Sequence, residues 1–222
     1  MKVRLVSYSQ PSEEFHQEGL EDVQDLIAFC ARVSNPSNQF NTETSEKLIK
    51  YLVKYAHWSP LEMVSVCMEV ETTRDIARQI LRHRSFSFQE FSQRYADPTK
   101  DLSFVTREAR LQDHKNKQNS IETDDFELQT LWVAKQMELI EHAKDTYKWA
   151  IDHGIAKEQA RAVLPEGNTV SRMYINGTVR SWVHFIQVRS GNGTQKEHME
   201  IARECAKVIA KIFPMADTFI AE

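Results

Sequence analysis

A single α+β domain is what this sequence predicts, with several helices packed on a small, mainly antiparallel sheet. Three observations predict it. Apolar residues recur at helical spacing over most of the chain, whereas strand-like alternation is confined to a few short stretches. Those stretches do not alternate regularly with helices, as a doubly wound sheet would require. The 222 residues, 41% hydrophobic and free of internal repeats or low-complexity runs, suit one core spanning residues 1–222.

Residues 2–8 (KVRLVSY) alternate as a first strand, and Leu20, Val23, Leu26, Ile27, Cys30 and Ala31 follow at helical spacing. A polar loop over 34–45 leads to a second helix marked by Leu48, Ile49, Leu52, Val53 and Ala56, with His57 just past its end. Ser59-Pro60-Leu61-Glu62 has the form of a capping box with Ser59 at the N-cap. Val64, Val66, Met68 and Val70 then alternate with Ser65, Cys67, Glu69 and Glu71, the pattern of a strand with one buried face. Thr72 or Thr73 caps the next helix, whose Ile76, Ala77, Ile80 and Leu81 run directly into Arg82-His83-Arg84.

Residues from about 97 to 125 are polar and turn-rich, an excursion or flap rather than core. A long helix follows from Phe126 to about Asp152, with Leu131, Ala134, Met137, Ile140, Ala143, Tyr147 and Ile151 as its stripe and Gly154 as its stop. It reads as a scaffold or subunit contact. A short helix carrying Arg161 ends at Pro165, TVSRMYI (169–175) reads as a strand, and 178–190 is another helix, broken by Gly191-Asn192-Gly193. Thr194 with Glu197 forms a second capping box, opening a final helix to about Phe213 that carries Cys205 beside Ala202, Ala206 and Ile209.

Composition excludes several functions. A net charge of −4 gives no general attraction to polyanions, so any phosphate must be bound by a local arrangement and nucleic acid is not the expected partner. The three cysteines are widely spaced without CxxC, which fits a reducing compartment rather than a disulfide framework or zinc ribbon. MKVRLVSYSQ lacks the apolar core of a signal peptide and no stretch has the apolar length of a bilayer span, so the expected location is cytoplasmic, away from membranes. HExxH, GxSxG, Walker A and GxGxxG are absent, and the histidines are too scattered to name a metal site.

The chemistry concentrates in RHRSFSFQEFSQRY (82–95). Projected along a helix from Ile76, Arg84 lands at about 80°, inside the apolar arc, whereas Arg78 and Arg82 fall on the opposite, solvated side. The same projection of residues 178–190 from Trp182 puts Arg189 at about 340°, between Phe185 and Ile186. An inward guanidinium cannot shed its charge and needs an anionic partner. A single such residue is most often half of an ion pair, here with Glu62 or Glu90; two of them beside Ser-rich or Gly-containing loops point to a ligand. His57, His83 and His184 are by themselves ordinary capping or core histidines. Ser92 has no base-and-orienter set, which disfavours a serine nucleophile.

Arg82-His83-Arg84, seven residues, Ser92 and then QRY resembles the signature of the flavin-dependent thymidylate synthases. ARVSN (31–35), HWSPLE (57–62), ARAVLP (160–165), RSWVHFIQVR (180–189) and TQKEHMEIA (194–202) extend the resemblance over nearly the whole chain. It implies an α+β homotetramer with active sites between subunits, holding FAD and converting dUMP to dTMP with 5,10-methylenetetrahydrofolate as carbon donor and NADPH as reductant. It further implies that Gln79, Arg82, Glu90, Ser92, Gln93, Arg94, Arg161 and Arg189 bind dUMP, with Arg189 facing the uracil as the catalytic residue. Ser34, His57, Ser59, Arg82, His83, Arg84, Glu90, Thr178, Arg180 and His184 would hold the flavin. Thr178 and His184 stand where many relatives carry asparagine, as does Gln89 within the signature. No enzyme nucleophile is implied, so Cys30, Cys67 and Cys205 have no catalytic role. The competing reading, a nucleic-acid module stacking bases on Phe86, Phe88 and Phe91, accounts for residues 82–95 alone.

Overall fold

Alternating apolar residues build the centre of the molecule: β1 (Lys2–Tyr8), β2 (Ser65–Thr73), β3 (Ser87–Glu90) and β6 (Val170–Thr178) form an antiparallel sheet in the order β1-β2-β6-β3. The computed structural model describes residues 1–221. Val66, Met68 and Val70 of β2 are wholly buried, and Met68 and Val70 lie opposite Ile175 and Met173 of β6, so a continuous apolar face forms across the strands. Against that face, α2 (Val23–Ala31), α3 (Ser45–Lys54), α4 (Arg74–Ile80), α8 (Val179–Arg189) and α9 (Lys196–Ile209) bury one cluster running from Ile27 and Ile49 through Ile76 and Trp182 to Ile201 and Ile209. The short helix α1 (Glu13–Gln17) has no buried residue. Trp182 anchors α8 to the sheet by donating its indole N–H to the carbonyl of Val66 at 3.0 Å.

Neither capping box forms. Ser59–Glu62 is a 3-10 turn with Trp58 at its N-cap and no side-chain cap, because Glu62 turns instead to Arg180 at 3.1 Å. At the start of α9 the N-cap is Gln195, and Glu197 is held by Arg110 at 2.5 Å. In both places a guanidinium outcompetes a backbone N–H for the carboxylate. The end of α3 is capped by backbone alone: Ala56 adopts φ 57°, and the N–H groups of Ala56 and His57 reach the carbonyls of Val53 and Leu52 at 3.2 and 2.8 Å. A left-handed alanine costs about 1–2 kcal/mol, held here by the HWSPLE turn that follows.

The excursion holds a short helix, α5 (Pro98–Asp101), and a separate hairpin of β4 (Arg110–Gln112) and β5 (Ser120–Glu122). It is tied down by α6 (Phe126–Asp152). Gln136 accepts from the N–H of Arg107 and donates to its carbonyl, both at 2.8 Å, and Gln129 does the same for Ala109 at 2.8 and 2.9 Å. Of the α6 stripe, Ile140, Ala143 and Tyr147 are buried, whereas Leu131 and Met137 are exposed. Tyr147 and Ala150 meet Ala160 and Leu164 in a second small cluster beside α7 (Lys157–Ala160). No helix among the described residues is long and apolar enough to cross a membrane.

Candidate active site

After Ile80, α4 stops, and Leu81–Arg84 turn before β3 begins at Ser87. Phe86 pins that turn. It is buried against Trp182, with ring centroids 4.5 Å apart, and lies over Gly177, where an added Cβ would fall 2.3 Å from the ring. A glycine is therefore required on β6 for the turn to seat. Facing it, α8 starts from Thr178, whose hydroxyl accepts from the N–H of Ser181 at 3.3 Å, and the Ser181 hydroxyl donates to the carbonyl of Ser85 at 3.1 Å. Between turn and helix lies a cleft of about 480 Å³, within the usual range for a small-molecule site. Arg82, His83 and Arg84 line one side; Arg180, His184 and Arg189 line the other.

Arg189 is half-buried, and its Nε donates to Nε2 of His83 at 2.9 Å. A guanidinium can only donate, so this imidazole nitrogen carries the lone pair and His83 is neutral with its proton on Nδ1. Burial, then the positive charge of Arg189, then His184, pull the pKa of His83 down to about 4. Among the described residues no carboxylate pairs with Arg82, Arg84 or Arg189: Glu62 serves Arg180, and Glu90 accepts from Ser171 at 2.7 Å and lies 3.5 Å from Arg74. The alternative in which an inward arginine pairs with Glu62 or Glu90 is thus not made. Arg84 itself corrects the helical projection. Because α4 ends four residues earlier, Arg84 is exposed and reaches the cleft from the turn. Arg82, projected towards solvent, lines the same cleft.

The remaining predicted residues fall outside this cleft. Gln79, in the last turn of α4, donates to Gln195 at 2.8 Å. Glu90 sits at the end of β3. Arg94 and Arg161 meet at Glu158, which binds Nε of Arg94 through its carboxylate at 3.4 Å and Nε of Arg161 through its carbonyl at 3.3 Å. Ser92 lies in the turn before Arg94 and accepts from its N–H at 3.4 Å; Gln93 is buried with its amide nitrogen unpartnered among the described residues. Ser34, His57 and Ser59 are exposed; the HWSPLE turn that carries His57 and Ser59 meets the cleft wall where Glu62 pairs with Arg180. Thr178 spends its hydroxyl on the α8 cap.

Two residues near the site were not singled out from sequence: His198 and Gln195, which hold Gln79 from either side. A signal existed, since His198 precedes Ile201, Ala202 and Cys205 at helical spacing and therefore faces inward with them. The stacking surface of the nucleic-acid reading is not there, because Phe86 is core and Phe88 packs against it. Burial raises the thiol pKa of all three cysteines, most of all Cys205, so none is poised as a thiolate.

The family described as "Thymidylate synthase complementing protein" matches residues 18–215. A "Probable flavin-dependent thymidylate synthase" of Paramecium bursaria Chlorella virus 1 is 44% identical over 214 residues, covering 96% of both chains. A "Flavin-dependent thymidylate synthase" of Synechocystis sp. is 46% identical over the same length and coverage. Among solved structures, a UMP/dUMP methylase from Streptomyces cacaoi bound with 5-Br dUMP superposes with TM-score 0.80 at 25% identity, covering 98% of this chain and 93% of that one.

Proposed function

This chain belongs to the flavin-dependent thymidylate synthase family, and from that premise we propose the reaction in detail: dUMP is methylated to dTMP with FAD bound, 5,10-methylenetetrahydrofolate as carbon donor and NADPH as reductant. The observation that carries this reading is the convergence of Arg82, Arg84 and Arg189 on one cleft with no carboxylate of their own. Such a donor set fits anionic ligands, the phosphates of a nucleotide and of a dinucleotide flavin, and a chain of net charge −4 can bind them only by such focusing. When bound, the flavin supplies the hydride.

The protein's own part is position and field. Arg189 faces the uracil. Its Nε is held by neutral His83, which leaves its two terminal nitrogens free and its full positive charge uncompensated. That charge stabilises negative charge developing on the pyrimidine when N3 ionises or an enolate-like form builds up. A protonated His83 could not accept from Arg189, so the neutral imidazole is what keeps the guanidinium in place. His83, Arg84, Arg180 and His184 lie against the flavin, with Arg82 and Glu90 between the two ligands and Ser34, His57, Ser59 and Thr178 completing the flavin site. Gln79, Gln93, Ser92, Arg94 and Arg161 bind dUMP, the last three near its phosphate. Because Arg94 and Arg161 line none of the cleft that holds Arg189 in one chain, a neighbouring copy brings the two halves together, in a homotetramer with sites between subunits.

The test is dTMP formation followed by chromatography, omitting flavin, folate or NADPH in turn. Each omission is expected to abolish product. Arg189→Ala is expected to fold and keep most of its flavin while dTMP formation falls by at least about 100-fold, the scale of losing one stabilising donor. Product without flavin, or full turnover by Arg189→Ala, would overturn the reading.

A further inference from the structure

His198 is a buried polar group beside the site that the mechanism leaves unused. It is wholly buried on α9, its ring against Phe185 at 5.7 Å, and its Nε2 has no partner among the described residues. An unpaired buried acceptor is unfavourable, so filling space against Phe185 does not by itself explain an imidazole here. Its other nitrogen is engaged: Nδ1 lies 3.2 Å from Oε1 of Gln79.

The direction of that bond is set from a distance. Arg110 on β4 donates to Glu197 at 2.5 Å, and a carboxylate paired with a guanidinium can only accept. Gln195 must then offer its amide N–H to Glu197, at 2.9 Å, which leaves its oxygen to face Gln79. Gln79 must in turn present its nitrogen to that oxygen, at 2.8 Å, and its own oxygen to His198. The imidazole therefore carries its proton on Nδ1. One charge pair thus fixes donor and acceptor along four side chains, and the nitrogen of Gln79 retains one N–H that no group among the described residues takes.

We propose that His198 and Gln195 are positioning residues for dUMP: they lock the amide of Gln79 in the one orientation that leaves an N–H for the nucleotide. This rests on the reading that Gln79 touches dUMP. Without the relay the amide can flip, and every molecule in the flipped orientation presents an oxygen to the nucleotide instead of an N–H, so apparent affinity falls in proportion to the flipped share.

The experiment is calorimetric titration of dUMP into the flavin-loaded protein, using Gln79→Leu, Gln195→Leu, His198→Leu and His198→Asn, and each of the middle two combined with Gln79→Leu. Gln79→Leu is expected to weaken binding about tenfold, the scale of one hydrogen bond to a bound ligand. Gln195→Leu and His198→Leu should each weaken it about three- to tenfold alone and not at all in the Gln79→Leu background, as residues acting through a shared partner do. His198→Asn, whose amide N–H can replace Nδ1–H, should bind dUMP with the affinity of wild type. An unchanged affinity in Gln79→Leu would remove Gln79 from the dUMP site and the relay with it. If Gln79→Leu weakens binding but Gln195→Leu and His198→Leu act equally in both backgrounds, or not at all, the contact stands and the relay is wrong. Gln195 is only half-buried, so Gln195→Leu decides the matter even if His198→Leu does not fold.

Discussion

Acidification probes the contact on which the placement of Arg189 depends. His83 accepts from Arg189 at 2.9 Å and titrates at about 4 in the folded protein, against an ordinary value of 6.5. Because the folded value lies below the unfolded one, the unfolded chain binds the extra proton as pH falls. The contribution to stability is therefore complete above about pH 6.5 and is lost progressively towards pH 4. At pH 5 the unfolded imidazole is charged and the folded one is not, a difference of about 2 kcal/mol before solvent screening and about 1–2 kcal/mol at this partly exposed ring. Glutamine in place of histidine keeps an acceptor for Arg189 and does not titrate. Urea unfolding of wild type and His83→Gln at pH 7.5 and pH 5, at one protein concentration, isolates the term. Wild type should lose about 1–2 kcal/mol more than the variant over that interval. Equal losses would mean that His83 titrates as an ordinary exposed imidazole, and the neutral-acceptor account of Arg189 would fail.

Other substitutions test other parts. Gly177→Ala should destabilise by about 1–3 kcal/mol in denaturant unfolding, because the new methyl meets the Phe86 ring that seats the arginine turn; a neutral result would mean that the turn is not pinned there. Ala56→Gly should stabilise by about 0.5–1 kcal/mol, the relief of a left-handed alanine less the added freedom of glycine in the unfolded chain. Arg94→Ala should raise the dUMP dissociation constant about 10- to 100-fold, the range for a charged hydrogen bond to phosphate, with little change in flavin content. An unchanged constant would take Arg94 out of the phosphate site.

Elements that bury one regular face were readable in advance: β1 and β2 from alternation, α6 almost to the residue in its bounds from its apolar stripe and Gly154, and α8 with its inward Arg189. What failed depended on partners far along the chain. Glu62 and Glu197 looked like capping residues until Arg180 and Arg110 claimed them. Strand β3 pairs with β6 across more than eighty residues, and in sequence its SFQE follows the arginine turn as the sequel to a helix. The hairpin at 110–122 is polar and held by Lys196, which bridges Glu108 and Glu122, so no apolar period marks it. At the site the identities of the cleft arginines were legible. How Arg82 and Arg84 reach the cleft was not, because α4 stops at Ile80 and frees them from the helical projection. His198 and Gln195 escaped because their importance lies in whom they touch.

In the proposed reading one cleft, walled by Arg82–Arg84 and Arg180–Arg189, receives flavin and nucleotide together. This is tested most directly by loading the protein with FAD, desalting, recording the absorption spectrum and then adding dUMP. The flavin spectrum is expected to survive desalting and to shift when dUMP is added, with the shift lost in Arg189→Ala. A folded protein that retains no flavin, or retains it with a spectrum indifferent to dUMP, would contradict it.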